Sequence, residues 1–161
     1  MSVSTALERY TADQQVAPRW FLGTLTWVKA TGDQTGGRLS LVEHLVRAGS
    51  ASPWHVHHTE DESFYVVEGR LTVIVGEQRL SLGPGGYAFG PRDIPHAFRV
   101  DGEDTARILL MTTSGDLANL VLEASEPAPS PTIPEPREPD IGRLVALAAK
   151  HGSEILGPFP A

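Results

Sequence analysis

The sequence predicts an all-β fold, a sandwich or barrel of jelly-roll type, followed by a short C-terminal helix and an extended tail. Three observations lead there. Between residues 20 and 113, short runs rich in β-branched, aromatic and leucine residues alternate with glycine-containing breaks. In the clearest run, 38–47, successive side chains sort onto two faces as on a strand. Six of the thirteen prolines then fall between Pro127 and Pro139, where neither a ladder nor a helix interior can run.

The elements follow in order. Residues 20–30 and 38–47 are strand candidates joined by the turn-forming cluster TGDQTGG. Leu39, Leu41, Glu43 and Leu45 share one face of the second; Ser40, Val42, His44 and Val46 share the other. Further strands are expected at 63–68, 71–75, 79–82, 87–89, 97–100 and 106–112, most of them separated by glycine. Residues 116–123 form a short helix with Leu117, Leu120 and Val121 on one side. The tail carries a second helix, capped by Asp140, striped by Ile141, Leu144, Val145 and Ala148, and closed by Lys150, His151 and Gly152. The expected organisation is a β domain over 1–126, a proline-rich strap over 127–139, and a helix with tail over 140–161. That last piece packs on the barrel as a lid or clasps a partner subunit, since so short a helix is marginal alone.

Composition narrows the function. The 161 residues suit one domain, and a net charge of −7 disfavours nucleic acid and anionic membranes as partners. There is no cysteine, so thiolate metal sites, disulfides and cysteine nucleophiles are excluded. Any metal must be held by nitrogen or oxygen. The polar segment 1–15 lacks the apolar stretch of a secretory leader, and no run approaches the ~18 apolar residues of a membrane span. The expected location is cytoplasmic.

The chemistry gathers on His55, His57, Glu62 and His96. Two residues apart on an extended strand, His55 and His57 point the same way. Three imidazoles and one carboxylate suit a divalent first-row ion and leave coordination positions open. The spacing Gly49-x5-His55-x-His57-x4-Glu62-x6-Gly69, followed after 15 residues by Gly85-x5-Pro91-x4-His96, resembles the paired signatures of the cupin superfamily. Two positions depart from that pattern. Asp93 stands where glycine is usual, and Val100 where asparagine is usual. Neither is a ligand position.

The resemblance implies a small β-barrel holding one ion through His55, His57, Glu62 and His96. Iron, nickel, manganese, cobalt, copper or zinc all suit such donors. The blocks WFLGTLTWVKATGDQTGG, PWHVHHTEDESFYVVEG and PRDIPHAF, with the strap and the ending HGSEILGPFP, further resemble single-domain quercetin-dioxygenase-like cupins. That implies a homodimeric dioxygenase cleaving an aromatic, flavonol-like or polyketide-like molecule with O2. Glu62 would be its proton acceptor, its pKa raised by an apolar barrel. The alternatives are a non-oxidative metal cupin (isomerase, cyclase or decarboxylase of an enolisable substrate) and a non-enzymatic small-molecule binder.

Other residues carry two readings. Glu43 is a second acid beside the metal if its face looks inward, and a solvated residue if the parity is reversed. His44, on the opposite face, is expected at the surface or an interface. His58 alternates away from the ligand pair. Glu60 and Asp61 replace Glu62 only if the loop shifts. Phe64, Val66, Phe89 and Phe98, and with them Trp27 and Trp54, either line a substrate pocket or are plain barrel core.

Overall fold

The computed structural model describes residues 16–161; the segment 1–15, read above for a leader, lies outside them. Two antiparallel sheets face one another in a jelly-roll arrangement without closing into a continuous barrel. The first strand candidate is in fact a hairpin. Leu22 and Gly23 both take positive φ, 48° and 75°, and form a two-residue turn between β1 (Arg19–Phe21) and β2 (Thr24–Ala30). A single helical turn, α1 (Gly32–Thr35), with a Thr31/Gln34 capping box, leads into β3 (Ser40–Val46).

The chain continues through β4 (Trp54–His57), β5 (Glu62–Glu68), β6 (Leu71–Val75), β7 (Gln78–Leu82), β8 (Tyr87–Gly90), β9 (His96–Val100) and β10 (Ala106–Thr112). It then forms α2 (Asp116–Ala124), β11 (Glu126–Pro127), α3 (Ile141–Lys150) and β12 (Ser153–Gly157). One sheet runs β11-β1-β2-β3-β10-β5-β8, the other β12-β4-β9-β6-β7. Their inner faces interdigitate: Val42, Phe64, Val66 and Ile108 of the first meet Leu71, Val73, Phe98 and Val100 of the second.

The strap runs along the outside of the larger sheet. Trp20 Nε1 donates to Thr132 O at 2.8 Å and Arg47 Nη2 to Pro134 O at 2.8 Å, which pins a segment with few donors of its own. Beyond it, Asp140 caps α3 by accepting from Arg143 N, as its sequence foretells. The tail then enters the smaller sheet. β12 pairs antiparallel with β4, setting Ser153 opposite His57 and Ile155 opposite His55. The structure thus makes the apolar ending a strand on the edge next to β4.

Parity on β3 is the reverse of what Glu43 would need. Ser40, Val42, His44 and Val46 are buried inward, while Leu41, Glu43 and Leu45 are half-buried on the outer face.

Candidate metal centre

Three strands deliver the four donor residues. His55 and His57 alternate along β4, His96 opens β9 directly opposite His55, and Glu62 opens β5 in the other sheet. The cluster therefore bridges the two sheets. One ligand atom from each of the four lies within 4.8 Å of every other, so the group can hold a metal ion. Nε2 of His96, His57 and His55 stand 2.7, 3.3 and 3.7 Å from Glu62 Oε2.

The loop before β9 shapes the approach. Gly90 ends β8 against the His96 ring, and a Cβ there would lie 2.8 Å from His96 Nδ1. Asp93 takes φ 64°, the left-handed conformation that glycine occupies in the usual pattern and that aspartate tolerates better than most residues.

Hydrogen bonds at the outer nitrogens set the tautomers. His55 Nδ1 donates to Pro53 O at 2.8 Å and His96 Nδ1 to Ile94 O at 3.0 Å. Carbonyls only accept, so each ring in its neutral form carries the proton at Nδ1 and presents a lone pair at Nε2. His57 Nδ1 lies 3.1 Å from Ser153 Oγ. Glu60 Oε1 is also 3.1 Å from that nitrogen, but off the line of a hydrogen bond, so the contact is electrostatic.

His57 Nε2 is buried with no hydrogen-bond partner. Three imidazole lone pairs converging on a carboxylate oxygen repel one another unless a cation lies among them. The orphaned nitrogen, the fixed tautomers and the all-nitrogen-and-oxygen donor set fit a divalent first-row ion.

Without such an ion, protons take up the same role. Burial opposes charge on His57, but the charge of Glu62 and the contacts with Glu60 and Glu62 outweigh it and raise its pKa to about 10. Burial lowers His55. Burial alone would raise Glu62; the charge of His57 and the imidazole contacts instead hold it well below the usual carboxylate range. The expectation that the apolar barrel raises Glu62 fails for that reason.

A cavity of about 760 Å³, counted with its open mouth, reaches the cluster from one end of the sandwich. Its walls are mostly apolar: Phe64, Phe98 and Leu110 from the sheets, Leu117 and Leu120 from α2, and Leu144 from α3. Of the expected pocket residues, Phe64 and Phe98 are on this wall. Val66 is buried in the core behind it.

Phe89 is corrected: it faces outward, 47% exposed, because the inward positions of β8 are Ala88 and Gly90, and only small residues fit against His96. Glu43 is corrected too. It sits on the outer face, where Arg107 Nη1 donates to its Oε1 at 2.5 Å. Arg107 also lies over the outward Trp27 ring, and neither Trp27 nor Trp54 lines the cavity.

His44 reverses its expectation: it is 3% exposed and lies on the cavity wall. His58 is exposed, between Asp93 and Glu154. Asp61 pairs with Arg92 at the surface. Glu60 is fully buried behind His57, its Oε2 accepting from Ser114 Oγ at 2.7 Å. Nothing in HTED distinguishes this inward glutamate from its neighbours, and Ser153 has no sequence signal either.

Comparison with known proteins agrees with this geometry. The cupin-domain family profile matches residues 42–112. A Bacillus subtilis protein named quercetin 2,3-dioxygenase is 33% identical over 113 residues, which are 70% of this chain and 31% of that relative; the chain thus spans less than a third of it. The solved structure of a predicted oxalate decarboxylase from Thermotoga maritima superposes with TM-score 0.60 at 13% identity, over 65% of this chain and 97% of that one. The polyketide cyclase RemF from Streptomyces resistomycificus superposes with TM-score 0.54 at 22% identity, over 63% and 76%. At those identities the two structures show likeness of fold alone. Fold, paired signatures and sequence relatives lead to one conclusion: the chain belongs to the cupin superfamily.

Proposed function

We propose that the chain is a metal-dependent oxygenase that uses dioxygen to cleave an enolic or phenolic small molecule of aromatic or polyketide-like type. The observation that carries this reading is the orphaned His57 Nε2 converging with His55 and His96 on Glu62 at the end of an apolar cavity. The relative named quercetin 2,3-dioxygenase supports it. A divalent ion held by His55, His57, Glu62 and His96 would supply Lewis acidity toward an oxyanion and a redox partner for O2.

The remaining work falls to the chain. Pro53 O, Ile94 O and Ser153 Oγ keep the three imidazoles oriented with Nε2 inward. Glu62 Oε2 faces the imidazoles, while Oε1 has no hydrogen-bond partner among the described residues and Glu62 itself lines the cavity. Oε1 is therefore the atom that takes the proton of an enol or phenol entering the site. Phe64, Phe98 and Leu110 exclude water around that transfer.

Metal analysis with an oxygen-uptake screen over flavonols and enolic polyketides tests the reading. The expected result is O2 consumption that needs the metal and drops about 100-fold or more in Glu62→Ala, the size of a lost general base. Product formed equally well under anaerobic conditions would replace the oxygenase by a non-oxidative isomerase, cyclase or decarboxylase.

A further inference from the structure

The cavity has a second polar group that the four-donor cluster does not use. His44 projects from β3, on the inner face shared with β10 and β5, two strand spacings, or about 10 Å, across the sheet from the strand bearing Glu62. Its ring lies against Phe21, with centroids 6.1 Å apart and planes inclined by 28°. Its Nδ1 is 2.7 Å from Thr26 Oγ1 and 3.2 Å from Thr24 Oγ1. The two hydroxyls are 2.7 Å apart, and Thr24 Oγ1 donates to Phe21 O at 2.6 Å.

This network has one proton arrangement that satisfies every contact. Thr24 has a single hydroxyl proton, which goes to Phe21 O, since a carbonyl cannot donate. Thr26 must then donate to Thr24 Oγ1, leaving its own oxygen to accept. His44 Nδ1 therefore carries the ring proton and donates it to Thr26. Nε2 is left as a bare lone pair.

Among the described residues that Nε2 has no hydrogen-bond partner, and His44 is part of the cavity wall. Burial lowers the ring's pKa to about 4 against the opposing charge of Glu62, so the imidazole is neutral near pH 7. A neutral lone pair in an apolar wall selects a donor. It offers nothing to a carboxylate or phosphate, and an apolar group placed against it leaves it unsatisfied.

We propose that His44 is a ligand-contacting residue: its Nε2 accepts a hydrogen bond from a hydroxyl on the part of the bound molecule remote from the four-donor cluster. It thereby fixes the direction in which the substrate lies. The favoured substrate has an apolar body with an enol or phenol at one end and a second hydroxyl at the other. This rests on the reading of the cavity as the substrate chamber; a purely architectural network tying β2 to β3 would give no preference among ligands.

The test uses the full chain, zinc-loaded so that it is diamagnetic, with phenol and toluene as probes of equal shape. Long-range ¹H–¹⁵N spectra of the histidines are expected to show His44 protonated at Nδ1, with the Nε2 resonance shifting upfield on addition of phenol and not of toluene. The phenol-to-toluene affinity ratio is expected to fall about five-fold in His44→Phe, the size of one neutral hydrogen bond. His44→Gln, which keeps an acceptor, is expected to retain most of it.

A proton found on Nε2, an unmoved resonance, an unchanged ratio in His44→Phe, or failure of both probes to bind would each overturn the proposal. If His44→Phe does not fold, the wild-type spectra and His44→Gln still decide. A ratio that falls as expected while no enolic substrate consumes oxygen keeps this site and removes the oxygenase reading.

Discussion

Glu60 is a buried carboxylate outside the four-donor cluster, and its position explains how His57 is tuned. One oxygen accepts from Ser114 and the other stands 3.1 Å from His57 Nδ1, so its negative charge raises the basicity of the ring's inner nitrogen. Glu60→Gln keeps the volume and removes the charge. Its affinity for a divalent ion, measured by competition with a chromophoric chelator, is expected to fall about 10- to 100-fold. Unchanged affinity would make Glu60 a spectator. At this scale the sequence was legible where spacing encodes chemistry, as at His55, His57, Glu62 and His96. It was illegible where a role depends on a partner far along the chain. Glu60 needs Ser114, and His44 is content inside only because Thr24 and Thr26 lie on the neighbouring strand.

The strands themselves were largely readable, because glycine breaks and β-rich runs mark them; their orientation was not. Over residues 39–46 each face offers three small or apolar residues and one ionisable one, so alternation fixes two faces without saying which is inside. On β8 the aromatic residues point out because Gly90 must yield space to His96, a constraint that belongs to another strand. β12 escaped detection since an edge strand of five residues has little pattern of its own. Its energetic role is nevertheless testable. Deleting residues 153–161 removes Ser153 from His57, Ile155 from the cavity wall and the cover of the β4 edge. A loss of about 5–15 °C in Tm is expected, together with weaker metal binding. Retention of both by calorimetry and chelator competition would show that β12 is dispensable.

For the whole molecule, the buried ionisable groups make stability depend on both pH and metal. In the metal-free protein His57 is raised from 6.5 to about 10. Its contribution is full below 6.5 and is lost as the pH climbs through about 10. His44 is lowered from 6.5 to about 4, so the unfolded chain binds its proton first and acidification from 6.5 toward 4 destabilises the fold. Glu62, held below its ordinary 4.5, contributes above that value and ceases to as the pH falls further. Tm after chelator treatment is therefore expected to peak near about pH 6–7 and decline on both sides. With the ion bound, His57 has no proton to lose at Nε2, and the alkaline decline should flatten. A metal-free Tm that stays level from pH 7 to 10 would contradict this account.

The pairing of β12 with β4 also has a consequence in time. Ser153 is 96 residues downstream of His57, so at ordinary translation rates about 5–20 s separate their synthesis. During that interval β4 emerges from the ribosome with an open edge and an unsupported histidine pair. Made after the other strands of its sheet, β12 is thus both a seal against misassociation of the nascent chain and the step that brings the serine partner to His57.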